Sequence, residues 1–134
     1  GTDGPASNNC LDLSRGMFLV TGLQKVVCDD PEAVPAMDVL KMSAVNGAHA
    51  MGLTDCDTLA EGKRADLIML DLMQPNMQPL HNIEKNIVYS GSNQNVKMTM
   101  ITGKVVYRDG EFFIGESPET IYRNADRISE RILG

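Results

Sequence analysis

The strongest constraint on this 134-residue chain is that its hydrophobic period changes twice along its length. Up to Met51 the apolar residues recur at helical spacing; from Leu67 they run or alternate as in strands, and only the last stretch returns to the helical period. Leu13, Met17, Val20 and Gln24 share one face of a helix expected over about 10–27, widened by Leu11, Phe18 and Val27, with Asn9 as its N-cap. Asp30-Pro31-Glu32 carries a second helix-start signal, and Met37, Leu40, Ala44, Ala48 and Met51 continue a helical pattern from about Ala36, with Asn46-Gly47 a place for it to break.

Leu67–Leu70 reads as a buried strand, residues 73–82 with Pro75 and Pro79 as a loop, and 83–90 fits helix or strand. Val96–Ile101 alternates with period two, Thr102-Gly103 turns, Lys104–Arg108 is a second strand, and Asp109-Gly110 marks a hairpin back into Glu111–Ile114. Ser117-Pro118 caps a last helix whose Ile121, Ala125, Ile128 and Ile132 form one stripe. Helices, then strands, then one helix is not the alternation of a complete parallel α/β domain.

A formal net charge of -6 disfavours nucleic acid and anionic membrane as partners. No apolar run approaches the roughly 20 residues of a membrane-spanning helix. Cys10, Cys28 and Cys56 lack metal-site spacing and read as reduced thiols of a cytoplasmic protein. Of the nine Met residues, those at helical spacing read as gap-filling core, not as a cofactor box.

Three stretches in order resemble the amidohydrolase superfamily, in the branch of methylthioadenosine/S-adenosylhomocysteine deaminases, guanine deaminases and triazine chlorohydrolases. They are Gly1-Thr2-Asp3-Gly4-Pro5-Ala6-Ser7-Asn8-Asn9 with Leu11-Asp12-Leu13, Ala44-Val45-Asn46-Gly47-Ala48 through Gly52-Leu53, and Leu59-Ala60-Glu61-Gly62-Lys63-Arg64-Ala65-Asp66-Leu67. Pro79-Leu80-His81-Asn82, Val88-Tyr89-Ser90 and Gly103-Lys104-Val105-Val106 fit as well. Pro75-Asn76 departs from the Pro-His usual at that place.

The resemblance implies an α/β fold. The chain would be a C-terminal fragment: the last strand-helix portion of a metal-dependent (β/α)8 barrel over 1–52, part of a small β-sandwich over 53–116, and a C-terminal helix over 117–134. It also implies hydrolytic deamination of an aminopurine nucleoside by the intact parent, with a divalent metal, zinc or iron. Guanine deaminase or triazine chlorohydrolase chemistry, and an inert structural or interaction module, are the alternatives. The 10–27 helix, cut from its barrel, would need a second copy or the missing barrel as partner.

Asp3 in Thr-Asp-Gly is, by itself, a turn residue. The resemblance places it at the C-terminal end of a barrel strand, where catalytic groups gather, and implies a double role as metal ligand and proton acceptor. His49 and His81 lie 32 positions apart and do not complete a three-ligand site. Ser7, Asn8 and Asn9 read as loop chemistry, with a substrate-lining role as the alternative; Gly62 and Asp66 read as structural. The purified chain is expected to carry substoichiometric metal and to release no ammonia from aminopurine nucleosides, checked by elemental analysis and an ammonia assay.

Overall fold

The computed structural model describes all residues 1–134 as five helices and one four-stranded sheet. The helices are α1 (Leu13–Cys28), α2 (Ala36–Ser43), α3 (Val45–Ala50), α4 (Ile83–Ser90) and α5 (Pro118–Leu133). The strands are β1 (Leu67–Leu70), β2 (Val96–Ile101), β3 (Lys104–Arg108) and β4 (Glu111–Phe112), all antiparallel in the order β1-β2-β3-β4. The segment between β1 and β2 leaves the sheet, forms α4 and returns. No helix is long and apolar enough to cross a membrane.

Helix α1 starts later than its pattern suggests. Asp12, not Asn9, is the N-cap, its side chain accepting the Ser14 N–H at 2.9 Å. The neighbouring Asn8 already accepts the Cys10 N–H, which holds the chain in a turn there. The helix ends on Asp29, whose left-handed φ of 50° lets its N–H reach the carbonyls of Lys25 and Val26. Asp30-Pro31-Glu32 starts no helix: the Asp30 carboxylate accepts the Glu32 N–H in a local turn, and α2 begins at Ala36. The following break falls at Ala44 (φ −120°, ψ −80°), ahead of Asn46-Gly47.

The buried faces differ from the expected ones for the same reason. Met17 and Thr21 are the buried residues of α1, and Thr21 satisfies its hydroxyl on the Phe18 carbonyl at 3.1 Å. On α2, Ala36 and Val39 are buried, while Met37 is exposed. Val88 of α4 completes the cluster of Met17, Ala36, Val39 and Val88, with Val34, Leu40 and Ile87 around it. The 83–90 segment is thus helical; Asn82 caps it by accepting the Lys85 N–H at 2.8 Å.

Both sheet turns need positive φ at two successive residues, Thr102 and Gly103, then Asp109 and Gly110. The return strand is short: β4 stops at Phe112, and Phe113 adds one hydrogen bond to the Val106 carbonyl. Tyr107 and Phe112 face each other across the strands with ring centroids 5.0 Å apart. Ile68, Met69, Ile101 and Phe112 remain exposed, so neither face of the sheet is fully covered. No residue of α5 is buried.

The accessible surface is 9790 Å². A folded monomer of 14.6 kDa exposes about 6,900 Å², so roughly 2,900 Å² more lies open here. Apolar side chains of α1 (Phe18, Leu19, Leu23, Val26), the sheet and α5 supply much of it. Light scattering of the isolated chain is expected to give a mass well above 14.6 kDa; a monodisperse monomer would contradict this reading of the open surface.

Candidate functional site

Asp3 stands in a tight loop ahead of α1, with a left-handed φ of 61°. Its Oδ1 accepts the Gly4 N–H at 2.8 Å. The Ser7 hydroxyl and that N–H hold the carboxyl below its ordinary range. The Ser7 proton can also go to the Gly4 carbonyl, 3.1 Å from Oγ. The side chain is otherwise solvent-facing, and its Oδ2 is free of backbone partners.

A solvent-facing carboxylate suits a single ligand position, and it is an ordinary ligand for zinc. No three His, Cys, Asp or Glu side chains come together anywhere in the chain to hold a metal ion. Asp3 is therefore at most one corner of such a centre. His81 is an exposed loop residue. His49 points to a partner elsewhere: its Nε2 lies 2.7 Å from Asp57 Oδ2.

That contact belongs to a charged junction that spacing alone did not reveal. Asp57, with its side chain 11% exposed, takes His49 from α3 on one oxygen and the Lys63 ammonium on the other. Lys63 also donates to the Thr54 carbonyl, and Arg64 grips Asp55 with two nitrogens, at 2.6 and 3.1 Å. Asp66 anchors a turn, accepting the Thr102 N–H, and Gly62 adopts φ 81° beside it. The Glu61–Asp66 stretch thus joins helices to sheet and brings no group towards Asp3.

Asn76, standing where the resemblance leads one to expect His, is also structural here. Its Nδ2 donates to the Ser90 carbonyl at 2.7 Å and to Asn95 Oδ1 at 2.8 Å. Asn95, 2% exposed, also accepts the Ser92 N–H and donates to the Asp71 carbonyl.

With this geometry in hand, the comparisons are specific. The model of the amidohydrolase family matches residues 1–106, and the chain belongs to that family. A 5-methylthioadenosine/S-adenosylhomocysteine deaminase of Desulforamulus reducens is 44% identical over 135 residues, all of this chain and 31% of that protein. A 5'-deoxyadenosine deaminase of Methanothermobacter thermautotrophicus is 43% identical over 116 residues, 87% of this chain and 27% of its own length. The crystal structure of an adenosine deaminase from Xanthomonas campestris with bound zinc superposes with a TM-score of 0.92 at 33% identity, over 98% of this chain and 30% of that one. An atrazine chlorohydrolase from Arthrobacter aurescens shares the fold at a TM-score of 0.80 and 22% identity, over 95% of this chain and 28% of its own. The chain thus spans under a third of the length of these curated relatives.

Asp57 gives a stability test with a definite sign. Hydrogen bonds from Lys63, then from His49, hold its carboxyl far below the usual range. A carboxylate depressed in the folded state adds stability above its unfolded pKa, about 3.9, and loses it as the pH falls towards the folded value. Asp57→Asn is expected to melt at lower temperature than the parent at neutral pH, with the gap closing as the pH drops below about 4. Calorimetry across that range measures it; a gap independent of pH would refute the charge-based account.

Proposed function

We propose that this chain is the C-terminal part of a metal-dependent deaminase that replaces the amino group of an adenosine-type nucleoside by hydrolysis. The observation that carries the reading is Asp3: a solvent-facing carboxylate oriented by the Gly4 N–H, at the head of the stretch 1–106 that matches the family. The names of the relatives, deaminases of 5'-deoxyadenosine and of 5-methylthioadenosine/S-adenosylhomocysteine, supply the substrate class. The zinc in the Xanthomonas structure supports a divalent cation.

In this reading residues 1–52 close a (β/α)8 barrel, 53–116 belong to a small β-sandwich and 117–134 form the terminal helix. Val88 supports a fixed relation between the first two, because α4 packs on α1 and α2. The exposed faces of α1 and the sheet fit an origin inside a larger body, through the rest of the barrel or a second copy. The chain alone is inactive, since Asp3 has no companion ligands within it.

The cation, when bound, supplies the Lewis acidity that makes water nucleophilic near neutral pH. Asp3 would hold it through one carboxylate oxygen, and its carboxylate would receive the proton of the attacking water and return it to the departing amine, a carboxylate's ordinary work in acid–base catalysis. Its lowered pKa suits the ionised form that both tasks begin from. The Gly4 N–H helps to fix the orientation of the carboxylate from Oδ1.

The test is ammonia release by the intact parent from 5'-deoxyadenosine, 5'-methylthioadenosine, S-adenosylhomocysteine and adenosine. Asp3→Asn is expected to lower kcat/KM roughly 10²–10⁴-fold, the usual worth of a positioned acid–base group, and to reduce zinc content. An Asp3→Asn enzyme with native turnover would overturn the assignment.

A further inference from the structure

The loop that carries Asp3 is closed by one side chain. Asn8 Nδ2 donates to the Thr2 carbonyl at 2.7 Å, and Asn8 Oδ1 accepts the Cys10 N–H at 3.0 Å. One amide therefore ties the residue just before Asp3 to the chain entering α1. Within this clasp the Gly4 carbonyl accepts the N–H groups of Ser7 and Asn8 at 3.1 and 2.9 Å. Asp3 itself holds φ 61°, a left-handed conformation that aspartate tolerates better than most residues with a Cβ but that needs local bonds to hold it in place. The backbone at residues 2–10 makes no helix or strand that could do so, which leaves these short loop bonds.

We infer that Asn8 is a positioning residue for the Asp3 carboxylate, acting through the Thr2 carbonyl and never touching substrate. The inference rests on the acid–base reading of Asp3. Its chemistry is specific to an amide at this length. Aspartate at position 8 keeps the acceptor for Cys10 but sets a second acceptor against the Thr2 carbonyl, so the clasp opens on the Asp3 side. Alanine removes both bonds without adding charge. Once released, Asp3 is free to leave its left-handed turn, and a displacement of about 1 Å at a reacting group costs on the order of 100-fold in rate.

Asn8→Asp and Asn8→Ala in the intact enzyme test this by steady-state kinetics together with amide hydrogen exchange. Both variants are expected to lose about tenfold to 100-fold in kcat with KM nearly unchanged. Exchange should quicken at residues 2–10 and stay native in α1 and α2. Native kcat in both variants, beside an inactive Asp3→Asn enzyme, would overturn the positioning role while leaving Asp3 in place. A fully active Asp3→Asn enzyme would instead sink the acid–base reading, and the positioning role with it. Loss of kcat with faster exchange throughout the protein would show Asn8 to be merely structural and would equally overturn the inference.

Discussion

The fold depends on one small apolar junction, where Met17 of α1, Ala36 and Val39 of α2 and Val88 of α4 close on each other. Helices α2 and α4 have eight residues each, too short to persist in water without burial. Val88 arrives from far along the chain, and by being fully buried it fixes the loop segment and the sheet's second strand relative to α1. The Asp3 loop is rooted at the N-terminal end of α1 through the Asp12 cap, little more than a turn from Met17. The candidate site is thus positioned by a contact that includes none of its residues.

Away from that junction, polar groups set the geometry. Asn95 with Asn76 holds the crossover between β1 and β2, Asp57 gathers His49 and Lys63 where the helices end, and Asp66 fixes the first sheet turn. Each such bond contributes only about 1 kcal/mol net. They orient segments more than they stabilise them. No side-chain polar atom is left buried without a partner, so this scaffold is locally complete even though its outer faces are open. The chain spans under a third of its relatives' length, and its apolar outer faces stay open within it.

Much of the architecture was legible because its causes are local. Gly103 and Gly110 permit the two tight turns, and alternation in Val96–Ile101 fixes that strand. Ser117-Pro118 starts α5 as its capping chemistry dictates. The misreadings share a cause too: several side chains competed for the same backbone groups. Asn9 and Asp12 are both good caps, and the bond from Cys10 to Asn8 decided for Asp12. Asp30 spent its carboxylate on Glu32 in a turn. The 83–90 segment suited helix or strand until Val88 found a core.

The candidate site divides along the same line. Residue types and their order were enough to suggest the family, because its motifs are written in consecutive residues; by itself Asp3 reads as a turn residue, and only the resemblance gave it a role. His49 and His81 read as a helix-face and a loop residue, and the fold sets His49 on Asp57. Tertiary structure alone decided that Asn8 clasps the loop, that His49 belongs to Asp57, and that Val88 holds α4 on α1 and α2. The Val88 contact depends on where the chain returns in space, which local propensity does not encode, while the Asn8 and His49 bonds depend on how nearby loop residues fold back.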